Sequence, residues 1–365
     1  MRILELGKFY PPVRGGIETL LQSFSEGFVR KGAEVQCVVA NTSAQTIREE
    51  ISRVQVTRCA SYGSVFSTSL APSFVPTARK IHADIWHAHF PNPLADLSIL
   101  RAPVNGRIVI TYHSDIIRQA GLMRIYGRVV QRVLQRADRI VVATPRNLEF
   151  SPWLQPHRAK VRVIPFGIDI AQLTEPRALP KNISSPIGRP ILLTVGRLVS
   201  YKGHRYLIEA MKNLNATLWI VGGGPLESEL RAQVAASSLT GRVQFLGDVS
   251  DDVLPGLYQA CDVFVLPSVT PNEAFGLVQL EAMACGKPVI SCDLKSGVPW
   301  VNQHERTGLI VPPANSTALE AAIHRLETQP DVAKSFGEAG RARVTAEFSE
   351  QQMIDEYFHL FEELS

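Results

Sequence analysis

Short apolar runs alternate with amphipathic runs through the first half of the chain, and this alternation limits the possible folds more than any other feature. Periodicity predicts a strand over Arg2 to Leu6, a helix over Ile17 to Lys31 and a second strand over Glu34 to Ala40. This order is typical of βαβ units, in which helices cover parallel strands. A second series of strands starts at Pro190 to Val195. We therefore predict an α/β protein.

The length and composition of the chain allow two domains. Its 365 residues, 45% of them hydrophobic, supply two cores of ordinary size. Residues 171–189 are rich in Pro, Ser and Gly, and we interpret them as a linker. The chain then consists of a first domain over residues 1–170, a second domain over residues 190–348 and a terminal amphipathic helix over residues 349–365.

Positive charge is concentrated in the first half of the chain. The formal net charge is +4, but residues 1–170 carry 22 Lys+Arg and 12 Asp+Glu, a net charge of +10. A basic half indicates an anionic partner, and the candidates are a membrane surface, a lipid-linked phosphate and nucleic acid. No known nucleic-acid-binding module is present, so we expect no nucleic-acid partner.

One predicted helix, Leu122 to Ala137, carries much of this charge. Its apolar residues recur at helical spacing, and four arginines advance four residues at a time along another stripe: Arg124, Arg128, Arg132 and Arg136. This pattern is typical of a helix that lies on an acidic membrane surface. It fits equally well an outer helix of the sheet whose arginines are solvated.

Several features bear on where the protein works. No run of eighteen apolar residues occurs, and the opening MRILELGKFY reads as a buried strand rather than a signal peptide. The five cysteines are scattered, without a Cys-x-x-Cys pair, which argues against a disulfide framework. We expect a cytoplasmic protein, peripheral on the inner face of the plasma membrane if the arginine helix contacts lipid.

The segment PNEAFGLVQLEAMACG, Pro271 to Gly286, suggests a binding site. A helix that starts at the Gly276-Leu277 step puts Glu281 on the helix and Glu273 in the loop before it. The first N–H groups of such a helix attract an anion, and the carboxylates accept hydrogen bonds from hydroxyls. One segment can therefore hold phosphate and hydroxyls together, which is the chemistry of a sugar nucleotide.

Two further loops suit phosphate. Arg197 and Lys202 follow the strand Pro190 to Val195, where Arg can bind a diphosphate through two donors and Lys adds a mobile point charge. Gly15-Gly16 follows the first strand, and backbone without side chains can approach a ligand closely. On that pair alone, a flexible connector is the alternative.

Together these segments resemble the retaining glycosyltransferases of family 4, which carry a Glu-x7-Glu motif. The match is closest from Gly196 to Pro313 and looser before it. The resemblance implies a GT-B fold, with two Rossmann-like domains facing a central cleft and the nucleotide sugar held by the second domain. The chain departs from the family at Gly297-Val298-Pro299-Trp300, where a Gly-x-x-Glu is frequent, and so lacks a carboxylate at position 300.

The resemblance also assigns roles in the donor site. Glu273 would contact hydroxyls of the transferred sugar, and Glu281 would contact the ribose. Arg197 and Lys202 would clamp the diphosphate. The other donor contacts are the amides of Phe275, Gly276 and Leu277 for phosphate or sugar, the loop of Val249 for the nucleobase, and Gly15 with Gly16 beside the diphosphate.

Three histidines lie at the ends of predicted strands. His87 and His89 alternate along Asp84 to Phe90, but no third metal ligand is evident, so we interpret both as packed or capping residues. His113 follows the strand that ends at Tyr112. The family has a histidine at the matching place, close to the transferred sugar and the acceptor, which makes His113 the second candidate catalytic residue after Glu273, with Asp115 as a neighbour.

The function implied by the resemblance is retaining transfer of a hexose from a nucleotide sugar to a lipid-linked or other membrane-associated glycan in polysaccharide biosynthesis. Mannose from GDP-mannose is the first choice of donor. No Asp-x-Asp occurs in the chain, so we expect no metal and no cofactor. The alternatives are a UDP-sugar epimerase on the same fold and a non-catalytic protein that binds a sugar nucleotide or an anionic lipid.

Overall fold

The computed structural model of the protein describes residues 1–13, 15–65, 68–101, 106–116, 120–179, 183 and 186–365, and the side chains of residues 120–125 lie outside this description. The chain separates into two compact units. The first unit comprises Met1–Phe166 and Glu350–Ser365, and the second comprises Gly167–Ser349.

The strands and helices follow one another in an alternating order. The strands are β1 Arg2–Leu6, β2 Glu34–Ala40, β3 Ile47–Ile51, β4 Val54–Cys59, β5 Ser64–Val65, β6 Thr68–Ser69, β7 Ile85–Phe90, β8 Arg107–Tyr112, β9 Arg139–Val142, β10 Val161–Val163, β11 Ile191–Val195, β12 Thr217–Val221, β13 Val243–Gly247, β14 Val263–Leu266, β15 Val289–Cys292 and β16 Gly308–Val311. The helices are α1 Gly16–Arg30, α2 Phe74–Arg79, α3 Pro93–Arg101, α4 Ala120–Arg136, α5 Pro145–Phe150, α6 Ile170–Thr174, α7 His204–Ala210, α8 Glu227–Ala236, α9 Leu254–Ala260, α10 Leu277–Ala284, α11 Val298–Val301, α12 Ser316–Thr328, α13 Pro330–Glu347 and α14 Glu350–Leu364.

The first unit is built on an eight-stranded sheet in the order β10-β9-β8-β7-β1-β2-β4-β3. Its strands are parallel except β3, which pairs antiparallel with β4. All six residues of β7 are buried, as expected for a parallel strand covered on both faces. β1 lies between β2 and β7, and the strand order reverses there. In α/β sheets, ligands bind beside the carboxyl ends of the strands at such a switch point.

The second unit has a six-stranded, fully parallel sheet in the order β13-β12-β11-β14-β15-β16. Counted from β11, this is 3-2-1-4-5-6, the strand order of the Rossmann fold. The switch point lies between β11 and β14, whose Leu192 and Val263 are partners in the register. The predicted α/β class is confirmed.

The last helix belongs to the first unit. α14 packs against α1, with Tyr357 and Phe361 fully buried, and the rings of Phe24 and Tyr357 lie 4.5 Å apart. Its amphipathic pattern predicted the helix, and the buried face explains why the apolar stripe is there.

Some elements were not predicted. The sequence of β3, IREEI, is mostly charged and exposed, so it carries no apolar alternation. Helices α3 and α13 were also missed. The segment interpreted as a linker begins within α6, which is tied to the second unit because Gln259 Nε2 donates a hydrogen bond to the carbonyl oxygen of Leu173 at 2.8 Å. Residues 180–182 and 184–185 of that segment lie outside the described residues.

Candidate functional site

The switch point of the second unit collects most of the residues singled out in the sequence. The loop after β11 contains Arg197 and ends in a short 3-10 turn over Ser200–Lys202, directly before α7. The loop after β14 contains Glu273 and leads into α10, which carries Glu281. The two loops therefore start from neighbouring strands at the same edge of the sheet.

Gly203 allows these two loops to touch. Its φ is +71°, in the left-handed region, and a Cβ added there would lie 2.0 Å from the carbonyl oxygen of Pro267. A glycine is required on both counts, because other residues strain in this conformation and their Cβ would overlap the backbone after β14. The close approach brings Lys202, the preceding residue, against the loop of Glu273.

Lys202 and Glu273 form an ion pair with 2.6 Å between Nζ and Oε2, and their side chains are only 12% and 10% exposed. The hydroxyl of Ser268 donates a second hydrogen bond to the same carboxylate oxygen at 2.8 Å. Burial disfavours the charge on Lys202, but the charge and the hydrogen bond of Glu273 outweigh it and raise the pKa of the amine. The pair is thus a charged, nearly dry cluster at the edge of the sheet.

Glu281 lies on α10, the helix that follows the loop of Glu273, and the charge of Lys202 also acts on it. Burial raises the pKa of the Glu281 carboxyl, while the hydroxyl of Tyr258 and the charge of Lys202 act in the opposite direction. Tyr258 is fully buried and donates to Oε2 of Glu281 at 2.6 Å. Lys202 and Glu273 are therefore in direct contact, and Glu281 is under the electrostatic influence of the same lysine.

A glycine and a buried glutamine shape the backbone before α10. Gly276 caps the helix with φ +74°, and a Cβ there would lie 2.8 Å from Cδ2 of Leu266. The fully buried Gln279 donates to the carbonyl oxygen of Phe275 at 2.6 Å, which holds the loop in place. The first-turn N–H group of Leu277 has no partner within the helix and can serve an anion.

Three glycine-containing loops lie side by side at this edge. The amide of Leu198 donates to the carbonyl oxygen of Gly223 at 2.9 Å, and that of Gly222 donates to Gly247 at 2.7 Å. Asp248 was not predicted as a site residue; its Oδ1 accepts from the amide of Gly223 at 3.0 Å. An acidic residue directly after a parallel strand was the signal that could have identified it.

Arg197 and Val249 line the same edge. The Arg197 side chain is exposed in the loop after β11, and Val249 is half-buried after β13. Both lie on loops that the hydrogen bonds described above join together. The exposed guanidinium lies on the same short loop as Lys202.

Trp300 occupies the place of the missing family glutamate. Its ring lies 5.3 Å from the guanidinium carbon of Arg343 and 5.7 Å from the ring of Phe348. The amide of Gly297 donates to the carbonyl oxygen of Ala274 at 2.7 Å, so this loop supports the loop of Glu273. Position 300 therefore contributes packing instead of a charge.

The first unit carries the remaining candidates at its own switch point. Gly15 precedes α1 and Gly16 is its first residue, and a Cβ on Gly15 would lie 2.3 Å from Oε2 of Glu18. His113 follows β8 and is buried, with its amide donating to the carbonyl oxygen of Phe90 at 3.0 Å. Asp115 accepts hydrogen bonds from the hydroxyls of Tyr112 and Ser151, both at 2.6 Å, so it is held by its own neighbours.

His113 is connected to the two histidines of β7. Nε2 of His113 lies 3.0 Å from Nδ1 of His89, and Glu5 on β1 accepts from both His87 and His89. No third metal ligand was evident in the sequence, but the fold brings a carboxylate oxygen of Glu5 within 4.8 Å of the ring nitrogens of His87 and His89. Sequence reasoning missed Glu5 because it lies on a strand far from β7 in the chain. The hydrogen bonds among these groups account for their packed arrangement, which was the favoured interpretation.

The arginine helix is α4. Arg128, Arg132 and Arg136 are exposed, and Nη1 of Arg136 donates to the carbonyl oxygen of Leu100 at 3.2 Å. The opposite side of the helix packs into the core through Val130, Val133 and Leu134. The side chain of Arg124 lies outside the described residues.

Among the described residues, no helix combines the length and the apolarity that crossing a membrane requires.

Comparison with known proteins gives consistent results. The family model "Glycosyl transferases group 1" matches residues 177–343, and "Glycosyltransferase Family 4" matches residues 14–172. The chain is 32% identical over 369 residues to the O-antigen chain mannosyltransferase C of Escherichia coli, covering 99% of this chain and 98% of that protein. It is 28% identical to a GDP-mannose-dependent alpha-(1-6)-phosphatidylinositol monomannoside mannosyltransferase of Mycobacterium tuberculosis, covering 95% and 94%.

The fold comparison agrees with the sequence comparison. The structure of sucrose-phosphate synthase from Thermosynechococcus elongatus matches with a TM-score of 0.82 and 26% identity, over 100% of this chain and 98% of that one. Each unit carries a Rossmann-like sheet, and the predicted GT-B fold is confirmed. On these grounds, the chain belongs to glycosyltransferase family 4 and is a glycosyltransferase.

Proposed function

We propose that the protein is a retaining mannosyltransferase that moves mannose from GDP-mannose to a lipid-linked or other membrane-associated glycan in polysaccharide biosynthesis. The observation that carries the proposal is the ion pair of Lys202 and Glu273, with Glu281 beside it, at the switch point of a Rossmann sheet. The relatives support mannose and GDP, since one is named an O-antigen chain mannosyltransferase and another a GDP-mannose-dependent enzyme.

The charges of the cluster suit cleavage of a sugar–phosphate bond. Departure of the nucleotide diphosphate develops negative charge on phosphate and positive charge at the anomeric carbon, and both need stabilisation. Lys202, Arg197 and the N-terminus of α10 supply the positive field for the phosphate. Glu273 supplies negative charge on the sugar side, and Glu281 accepts from the ribose. On this account the reaction requires no metal.

Retention of configuration follows if the acceptor attacks from the face that the diphosphate leaves. The leaving phosphate oxygen then accepts the proton of the acceptor hydroxyl, the new glycosidic bond forms and the sugar–phosphate bond breaks. No separate side chain is needed as a base. Both carboxylates of the cluster remain available to hold hydroxyls.

The membrane-associated acceptor is supported by α4. Its exposed arginines form a positive stripe on the side of the helix that does not enter the core. Such a stripe attracts anionic lipid or the phosphate of a lipid-linked glycan. We place the working protein on the cytoplasmic side, peripheral on the membrane.

A donor panel tests the proposal. The full chain is incubated with radiolabelled GDP-mannose, UDP-glucose or UDP-N-acetylglucosamine, with and without a polyprenyl-diphosphate-linked glycan, in the presence of EDTA. We expect label in the lipid-linked product from GDP-mannose alone, and NMR of the product should give an α-linkage. Transfer only to a soluble acceptor, or loss of transfer with EDTA, contradicts those parts of the proposal.

The same experiment separates the alternatives. Conversion of a UDP-sugar without any acceptor identifies an epimerase. Tight nucleotide binding without turnover of any donor identifies a non-catalytic binding protein.

A further inference from the structure

A chain of buried polar side chains leads to His113 in the first unit, and its hydrogen bonds have a direction. Glu5 is fully buried; Nδ1 of His87 lies 2.9 Å from its Oε1, and Nε2 of His89 lies 3.1 Å from its Oε2. Burial opposes ionisation of Glu5, but its contacts with the two histidines lower its pKa overall. An ionised carboxylate only accepts hydrogen bonds, so both of these histidine nitrogens carry a proton.

The position of the proton on His89 determines the position of the proton on His113. Burial lowers the pKa of His89 and lowers that of His113 well below its usual value, so both rings are neutral at pH 7. A neutral His89 with its proton on Nε2 has a lone pair on Nδ1. Nε2 of His113, 3.0 Å away, must then donate to it. The proton of His113 is on Nε2, and Nδ1 is left as an acceptor.

Two hydroxyl groups end the hydrogen-bonded series on the side away from His113. Nε2 of His87 lies 2.7 Å from Oγ1 of Thr111, which lies 2.9 Å from the hydroxyl oxygen of Tyr357 on α14. Tyr357 can donate to Thr111, and Thr111 can donate to His87, so every group finds a partner. Within the described part of the chain, no group donates to Nδ1 of His113.

We propose that Glu5 and His89 are positioning residues that hold His113 as the neutral Nε2–H tautomer, so that its Nδ1 accepts a hydrogen bond from a hydroxyl of the sugar or acceptor. A hydroxyl can donate to a lone pair, whereas an ionised phosphate oxygen cannot. His113 thereby selects for hydroxyls and against phosphate at its position. The hydroxyl ligand rests on the proposed function, but the tautomer does not.

The tautomer is measured directly by long-range ¹H–¹⁵N NMR on the ¹⁵N-histidine-labelled full chain without substrate, with His113 assigned by comparison with His113→Gln. Between pH 6.5 and 8 we expect His113 and His89 as neutral rings protonated on Nε2. A proton on Nδ1 of His113, or an imidazolium, overturns the proposal. A spectrum that changes when EDTA is added also overturns the proposal. A metal bound by Glu5, His87 and His89 would occupy histidine nitrogens that carry a proton in this hydrogen-bonded series.

Variants test each positioning residue. In Glu5→Gln, the amide cannot accept from both histidines, so His87 or His89 must move its proton; unchanged tautomers in both contradict the role of Glu5. In His89→Leu, Nε2 of His113 loses its acceptor, and we expect a mixture of its two tautomers. Tyr357→Phe is the matched control, since it removes only the hydroxyl that is farthest from His113 in the hydrogen-bonded series. His113 should keep its wild-type tautomer in this variant.

The outcomes are distinguishable from failure of the proposed function. An enzyme that transfers mannose while His113 carries its proton on Nδ1 disproves the positioning chain alone. The expected spectrum in a protein that transfers no hexose disproves the function alone. If either variant fails to fold, the wild-type spectrum still decides the tautomer.

Discussion

At the scale of single residues, the ion pair of Lys202 and Glu273 carries most of the chemical argument. Without donor, the two charges neutralise each other at 2.6 Å with little exposure. On the proposed function, a diphosphate would compete with Glu273 for the lysine, and the sugar hydroxyls would compete with the lysine for Glu273. Such a site would suit a ligand that brings both groups at once.

Replacing Glu273 by Gln tests this residue. The isosteric amide keeps the volume but removes the negative charge that faces the sugar, so we expect kcat to fall by about a hundredfold to a thousandfold. GDP binding by calorimetry should not weaken, because the amide competes less than the carboxylate with the diphosphate for Lys202. The control is Glu338→Gln, an exposed glutamate 3.9 Å from Lys334 in α13. Full turnover in the Glu273 variant contradicts the assignment.

His204, two residues after Lys202, should make the stability of the folded protein depend on pH. Burial, and secondarily the charge of Lys202, lowers the pKa of His204 to about 3, and its Nδ1 has no partner among the described residues. The unfolded state binds a proton near pH 6.5 and the folded state does not, so stability is lost as pH falls below that value. From pH 7 to pH 5, wild type should lose about 2 kcal/mol more than His204→Phe in urea unfolding. Equal losses contradict the buried neutral histidine.

At the scale of elements, the apolar patterns were sufficient for the buried strands but not for the edges or the contacts between loops. β14 is a continuous apolar run and β15 is apolar except for Ser291, because both of their faces are buried, so composition alone identified them. β3 has no such run. The contact of Gly203 with Pro267 joins loops more than sixty residues apart, and nothing local in the sequence encodes it.

Gly203→Ala tests that loop contact. The new Cβ would meet the Pro267 carbonyl oxygen in a left-handed conformation, so we expect a loss of more than about 2 kcal/mol in unfolding free energy. Gly32→Ala is the matched control: its φ is +87°, with nothing within 4 Å of the added Cβ. It should cost only the conformational term, about 1 kcal/mol. Equal effects would mean that the close approach of the loops is not real.

The arginine stripe of α4 makes a second prediction at this scale. Changing Arg128, Arg132 and Arg136 together to Ser should reduce partitioning onto anionic vesicles by about a hundredfold, since each basic residue near such a surface contributes about 1 kcal/mol. Sedimentation with phosphatidylglycerol vesicles measures it. The charge-matched control changes three exposed arginines of the second unit to Ser: Arg177, Arg205 and Arg231. Equal losses in both variants would assign the effect to net charge and not to the helix.

At the scale of the whole molecule, the order of motifs along the chain was more informative than any one of them. Glu273 and Glu281 alone describe many helices, but together with Arg197 and Lys202 after an earlier strand they fit one site on a Rossmann sheet. Tyr258, Ser268 and Glu5 could not be predicted, because each acts through a contact that only the folded chain creates. The sequence singled out these two glutamates and two cations, but not the residues that hold them in place.

The central claim is that the second unit grips a nucleotide diphosphate at its switch point. A crystal structure of the protein with GDP-mannose tests it most directly. The account predicts the diphosphate within hydrogen-bond reach of Lys202 and Arg197, the ribose on Glu281 and the mannose hydroxyls on Glu273. Nucleotide bound elsewhere, or bound there with Lys202 still paired only to Glu273, would contradict it.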